Sequence, residues 1–461
     1  MSWLGSIQYH GRQWGNRTLD RHLRVGVTGL SGAGKTAFIT SLVHQLTQGD
    51  QAQHLPFFSV LQQGRYLGGR LAQNQPMAIP RFPYEQNLQY LAGQPAQWPP
   101  STTGWSQLNL TLRYRPTGAI RSRLQQHSEL QLEIIDYPGE WLLDLPMLQQ
   151  SYQQWSAFCW QLFRQPHRQT LSQPFAELLQ TTDLNDVSEL QLQRLTDSYR
   201  QLLLSFSQQA GCYLQQPGRL LVPGELAGAP MLQLLPLLPE QLEQTSALAS
   251  RLSQHYQTYC DYVIKPFYRQ HFSALDRQVV LVDGLAALNA GYAAVRELQQ
   301  ALGLIMQSFR YGPASLLHRL FKPQISKVLF AASKADHVTP EQHKALTLLL
   351  QQLLRQPIKQ SQYASAKSEA MALAAIRASK SGFVEHQGQR QAVLTGRDLH
   401  TATTQTLFPG EVPAELPTAE LFARHQFQFP AFLPTDNNPE QPLPHVRMDH
   451  ALEFLLGDKL L

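Results

Sequence analysis

Eight residues constrain this chain more than any others: Gly29-Leu30-Ser31-Gly32-Ala33-Gly34-Lys35-Thr36. They fit G-x-x-x-x-G-K-[ST], a loop whose small residues let several backbone N–H groups converge on one anion. Lys35 is placed to reach β- and γ-phosphates and Thr36 to set its hydroxyl on Mg²⁺, with Leu30, Ser31, Gly32, Ala33, Gly34 and Ala37 completing the cradle. The flanks agree. Leu23-Arg24-Val25-Gly26-Val27-Thr28 reads as a short buried strand, and Ala37–Leu46 as a helix with Phe38, Leu42 and Leu46 on one face. That helix would aim its positive N-terminal end at the phosphates.

Composition sets the limits around this unit. A chain of 461 residues with 43% hydrophobic content can bury a large core and is long enough for two domains and a tail. A net charge of +5 and a pI near 9.0 are mildly basic. No Lys/Arg block is long enough to argue for specific nucleic acid, and a solvated basic surface is the simplest account. Cys159, Cys212 and Cys260 are widely spaced and odd in number, which suits a reducing compartment and argues against disulfides or a zinc site. The N-terminus lacks a cationic region followed by an apolar run. The most apolar stretch, Leu220–Leu238, is interrupted by Pro223, Pro230 and Pro236. The expected location is the cytoplasm, with a peripheral position at the inner membrane as the alternative.

In chain order, residues 1–21 read as polar and irregular. The phosphate-loop unit spans about 22–47. The prolines and glycines between 50 and 101 predict a loop-rich stretch. Leu108–Tyr114 alternates strictly, and Leu130–Ile135 alternates before turning fully apolar, so the two predict a hairpin-like strand pair. From about 145 to 277 the chain is rich in Gln and Leu. Helical spacing is clear at 187–210 (Leu192, Leu195, Tyr199, Leu202, Phe206) and recurs at 246–274, with a loop-rich connection from Gln216 to Pro239. Val279–Asp283 and Lys327–Ala332 read as strands buried on both faces. Ala370–Ile376 is a further strand candidate whose alanines also suit a helix, and after about 383 a proline-rich mixed tail ends in an amphipathic helix near Met448–Leu456. The expected fold is α/β with a mostly parallel sheet. It divides into a nucleotide domain begun by 1–145 and completed by 278–461, around a mainly α-helical insertion domain at 146–277.

Four further motifs carry chemistry. In Ile134-Ile135-Asp136-Tyr137-Pro138-Gly139 an aspartate ends an apolar strand, where it can hold Mg²⁺, and Gly139 can bring its N–H to the γ-phosphate. Ser333-Lys334-Ala335-Asp336 follows a strand. A carboxylate at Asp336 can accept from guanine N1–H and N2–H₂, a donor pair adenine lacks, while the Lys334 stem covers the base. A later loop, Ala378-Ser379 or Ser365-Ala366-Lys367, would reach guanine O6; the apolar run before Ala378 favours Ala378 and Ser379. Ser101-Thr102-Thr103-Gly104 stands where a mobile switch would meet Mg²⁺ and the γ-phosphate.

The order of these motifs over about 20–385 resembles a Ras-like GTPase with an insertion. Ser333 departs from the usual Asn or Thr of the base motif. Thr-Thr-Gly is similar to the switch of heterotrimeric G-protein α subunits, which implies Thr102 as a metal ligand. Those proteins carry a transition-state arginine three residues earlier, where this chain has Pro99, so Arg81 or another arginine would have to substitute. They also place a glutamine after the Asp-x-x-Gly glycine. Here it is Glu140, which when ionised accepts from water but cannot donate to phosphate, implying slow turnover. Finer features resemble the YcjX family, a bacterial group of P-loop proteins linked to stress responses. They are Trp98-Pro99, Asp136-Tyr137-Pro138-Gly139-Glu140-Trp141, Gln216-Pro217-Gly218-Arg219, Val280-Leu281-Val282-Asp283-Gly284-Leu285, Ser333–His337 and the closing Ala451–Asp458. The resemblance implies binding of GTP/GDP with Mg²⁺ and hydrolysis of GTP, with Lys35, Thr102, Gly139 and Glu140 at the reacting phosphate and Thr36, Thr102 and Asp136 at the metal. The alternative is a nucleotide-gated binding module with negligible turnover. The helical insertion would offer a surface to a protein partner or a membrane.

Overall fold

The computed structural model describes residues 22–48, 53–72, 79–117, 126–244, 246–308, 325–361 and 366–461. The stretch 1–21 and Ser365, both read from sequence above, lie outside them. A seven-stranded sheet runs in the order β2-β3-β4-β1-β5-β6-β7. Its strands are β1 (His22–Gly29), β2 (Tyr66–Leu71), β3 (Ser106–Tyr114), β4 (Ser128–Asp136), β5 (Arg277–Val282), β6 (Lys327–Ala332) and β7 (Lys367–Ala372). The five strands from β4 through β1, β5 and β6 to β7 pair in parallel. The expected hairpin-like pair is present as antiparallel β3 and β4, in register from Ser106↔Asp136 to Tyr114↔Ser128.

Alternation along the central strands assigns the two faces. Val279 and Leu281 of β5 join a core with Phe38, Ile39, Leu42, Val43 and Leu46 of α1 (Lys35–Thr47) and with the closing helix Met448–Leu456. Val280 and Val282 point the other way, into the core of the helical elements. Between β4 and β5 every described element is helical. These include α2 (Tyr152–Phe163), α3 (Pro166–Gln180), α4 (Glu189–Ala210) and α5 (Ala247–Tyr259). α4 starts from a capping box, Ser188 with Gln191, and stops at left-handed Gly211, which sets its length locally. Two more helices, α6 (Tyr292–Ser308) and α7 (His343–Ser361), pack on the same face of the sheet. Among the described residues no helix is long and apolar enough to cross a membrane, and the three cysteines are buried and free.

Two sequence readings need correction. The stretch 50–101 is not all loop, since it holds edge strand β2 and a helix at Tyr84–Leu91. β2 reads Tyr-Leu-Gly-Gly-Arg-Leu and carries a register shift beside Gly68, so its glycines mask the strand signal. The chain after 383 is not a plain tail. β8 (Ser379–His386), β9 (Gln389–Asp398), β10 (Thr404–Leu407) and β11 (Phe432–Leu433) form a second, antiparallel sheet. β8 is exposed over nearly its whole length, so no buried alternation marks it. The segments after β7 bind back to α1. His44 Nε2 donates to the Gln441 carbonyl at 2.9 Å, leaving Nδ1 to accept from the Tyr84 hydroxyl at 3.1 Å, and Gln45 reaches the Leu443 carbonyl at 2.7 Å.

Candidate functional site

The glycine-rich loop 30–34 joins β1 to α1, the strand–loop–helix order expected from the sequence. Gly32 and Gly34 take left-handed φ values of +79° and +86°, which a side chain would resist. Gly34 caps α1 without a side chain to offer, and the first turn holds no acidic residue, so the leading amides have no carboxylate of their own. Lys35 is buried at the first helical position.

Behind the loop, three predicted metal residues meet. The Thr102 hydroxyl donates to Asp136 Oδ2 at 2.9 Å, and the Thr36 and Thr102 hydroxyl oxygens lie 3.4 Å apart. Asp136 Oδ1 is buried with no hydrogen-bond partner. Burial pushes the Asp136 carboxyl above the usual range, against the opposing pull of Lys35 and Thr102. A buried carboxylate oxygen left unpaired beside two hydroxyls is a hard-oxygen donor set that fits a Mg²⁺ ion.

Gly139 sits against the loop itself, where a Cβ would come within 2.6 Å of the Gly29 carbonyl oxygen. Next to it, Glu140 accepts from the Ser31 N–H at 2.8 Å. A strap from the helical elements, Gln216–Glu225, backs this segment. Gly218 has no room for a Cβ because of the Glu140 carbonyl. Its N–H donates to Asp144 Oδ1 at 2.7 Å, and the Tyr259 hydroxyl donates to Asp144 Oδ2 at 2.6 Å. Burial raises the Asp144 carboxyl to about 7, with these donors pulling the other way. Arg219 lies 3.2 Å from the centre of the Trp141 ring and 3.1 Å from Glu225, and Trp141 Nε1 donates to the Val222 carbonyl at 3.0 Å. At its far end Gly224 abuts Thr103 and Gly104.

The predicted base motif stands across the same cavity. Lys334 adopts a left-handed φ of 60°, and its Nζ pairs with Asp283 Oδ2 at 2.5 Å. Asp283 also caps the helix after β5 through the Ala286 N–H at 2.9 Å. Ser333 is tied to the Val282 carbonyl through its N–H at 3.0 Å. Asp336 accepts from the Ala378 N–H at 2.6 Å, and the Ser379 hydroxyl donates to the Asp336 carbonyl. Ala378 and Ser379 are therefore buried behind Asp336. It is Leu373–Ile376 that lines the cavity, and the alternative pair Ala366 and Lys367 stands at the opposite, entering end of β7.

One cavity of about 880 Å³ gathers these pieces. Its wall includes Leu30–Ala37, Thr102, Glu140, Ser333, Lys334 and Asp336, while Asp136 and Gly139 lie just beneath. Sequence reading missed other parts of the wall: Arg200 from α4, the strap residues Leu221–Glu225, and Leu399, Ala431 and Phe432 from beside the second sheet. Asp283 was visible only as part of a longer motif. Arg81, considered above as a substitute arginine, faces Glu85 at 3.4 Å and does not line the cavity. A separate trio, His167, Cys212 and Glu297, brings its ligand atoms within 4.8 Å of one another. Glu297 already holds Arg168 and His167 at 2.7 Å each, so a guanidinium stands where a cation would. Burial opposes ionisation of Glu297, yet the Arg168 contacts bring its carboxyl down to about 2.

Comparison with known proteins agrees over nearly the whole chain. The model of the YcjX-like family, DUF463, matches residues 23–460. A protein named Ras-like GTPase YcjX from Escherichia coli is 41% identical over 454 residues, covering 96% of this chain and 97% of that one. Another of the same name from Shewanella oneidensis is 42% identical over 466 residues, covering 96% of each.

Proposed function

The chain belongs to the YcjX-like family, and from that premise we propose that it is a Mg²⁺-dependent GTPase, converting GTP to GDP and phosphate. The observation that carries the reading is a single cavity with the Gly34–Thr36 helix start on one wall and Asp336 on another. Lys35 and the loop amides bind the β- and γ-phosphates. Thr36, Thr102 and Asp136 hold Mg²⁺, which supplies charge neutralisation at the phosphates. Gly139 presents its N–H to the γ-phosphate, and Glu140 accepts a hydrogen bond from the attacking water. Asp336 accepts from the guanine edge, Lys334 covers the base, Ser333 fixes their loop, and Ala378 and Ser379 brace the Asp336 carboxylate. Residues 146–277 act as a helical insertion domain between the two parts of the nucleotide domain, 1–145 and 278–461. Its strap reads the state of both Thr102–Gly104 and Gly139–Glu140. Such a switch suits a stress response in the bacterial cytoplasm, with a protein partner or the inner-membrane surface meeting the helical domain.

The test is calorimetry with GTP, GDP and ATP, each with and without Mg²⁺. Tight, Mg²⁺-dependent binding of GTP and GDP but not ATP is the expected result. Equal affinity for ATP, or no heat with either guanine nucleotide, overturns it. A second reading, a nucleotide-gated binding module with negligible turnover, is favoured by the Glu140 carboxylate resting on the Ser31 amide. Phosphate release under single-turnover conditions separates the two.

A further inference from the structure

Phosphoryl transfer spreads negative charge over the γ-phosphate oxygens and the β–γ bridge, and a guanidinium at that point accelerates it strongly. Lys35 supplies one cation at the phosphate end of the cavity, and Lys334, the other lysine in the wall, is held by Asp283. We propose that Arg200 of α4 is the catalytic arginine, delivered in cis from the helical elements to the γ-phosphate; this rests on the GTPase reading above.

Among the described residues Arg200 is the single arginine that lines the cavity. It is exposed, and no hydrogen bond or ion pair within those residues holds its guanidinium. The neighbouring arginines are engaged: Arg219 by Trp141 and Glu225, Arg168 by Glu297. The position along the cavity follows from α4's anchoring. Tyr199, one residue earlier, is buried and donates to the Gln216 carbonyl at 2.5 Å, where the strap begins. The strap at Gly218 packs on Glu140, which in turn reaches Ser31. Arg200 thus lines the cavity from the α4 side, which the strap ties to Glu140 and through it to Ser31. A 22-residue helix capped at both ends is a rigid mount for it. In the step it assists, water adds to the γ-phosphorus and the bond to the bridging oxygen breaks. The electron pair stays on GDP, and both water protons leave with the phosphate as H₂PO₄⁻. The planar guanidinium fork bridges a γ-oxygen and the bridging oxygen as charge builds there.

The experiment compares wild type, Arg200→Ala and Arg200→Lys as full chains with Mg²⁺, by single-turnover GTP hydrolysis, by calorimetry with GDP, and by capture of GDP with aluminium fluoride. Arg200→Ala is expected to slow hydrolysis on the order of 10³-fold while GDP affinity stays within about threefold. It should also fail to capture fluoroaluminate, which wild type captures unaided. Arg200→Lys should remain slow, because a lysine keeps the charge without the fork. Hydrolysis by Arg200→Ala within about twofold of wild type overturns the assignment. So does a wild-type protein that binds GTP yet neither hydrolyses it nor captures fluoroaluminate, and in that case the nucleotide site stands. Absence of GTP binding by wild type defeats the GTPase reading itself.

Discussion

The two ends of the cavity are built on opposite plans. At the proposed phosphate end, polar groups are left with spare capacity: α1 starts at a glycine that caps nothing, and Asp136 Oδ1 has no partner. At the proposed base end, the polar groups are already engaged by protein. Asp336 has the Ala378 amide at 2.6 Å and Lys334 has Asp283 at 2.5 Å. The phosphate end comes from one contiguous turn and two nearby strand ends. The base end comes from β5, β6, the loop after β7 and residues beside the second sheet. The difference teaches that, on the proposed reading, charge is met by local backbone geometry, while base choice depends on side chains positioned by distant packing.

Four substitutions would break or sharpen this contrast. Lys35→Ala should have the largest effect, a loss of about 2–5 kcal/mol of binding, shared by every nucleoside triphosphate tested because the phosphates are common to all. Calorimetry with GTP and a non-cognate triphosphate checks it, and a loss confined to GTP would erase the distinction between the ends. Asp336→Ala should cost about 1.5–3 kcal/mol for GTP and leave ATP binding unchanged, so that the preference between them collapses. Competition titration reads that ratio directly. Gly139→Ala forces a methyl within 2.6 Å of the Gly29 carbonyl, and the resulting overpacking should cost about 1–3 kcal/mol. GTP should suffer more than GDP, because the Gly139 amide is proposed to meet only the γ-phosphate; equal weakening of both would move Gly139 out of that role. Leu399→Ala should be the mildest. Leu399 lines the cavity yet is 40% exposed, so its truncation removes little buried area and should weaken GTP by under about 1 kcal/mol. A larger loss, read by the same titration, would make the second sheet a principal part of base recognition.

Legibility in the sequence followed the same divide. The strand, loop and helix from Leu23 to Leu46 could be read because each step depends on neighbours: β-branched residues, then glycines, then an apolar stripe. β5 and β6 were legible as apolar runs for the same reason. β2 escaped because its two glycines carry no side-chain pattern, and β8 because it buries almost nothing. Arg200 escaped for another reason. Nothing near it in sequence separates it from the other solvated polar residues on α4. Its place in the cavity wall depends on how α4 packs in the tertiary structure, where Tyr199 beside it meets Gln216.

The sequence by itself determined a glycine-rich loop at the head of a helix, an acid at the end of a neighbouring strand and a sheet of mainly parallel strands, because backbone conformation and side-chain periodicity are local properties. Only the tertiary structure decided which residues share one cavity. Trp98 Nε1 donates to the Phe432 carbonyl at 2.8 Å across 334 positions, and Ser41 to that of Ala375 at 2.6 Å across another 334. Pairings of that span are chosen by how whole layers pack, and no stretch of the chain read alone encodes them.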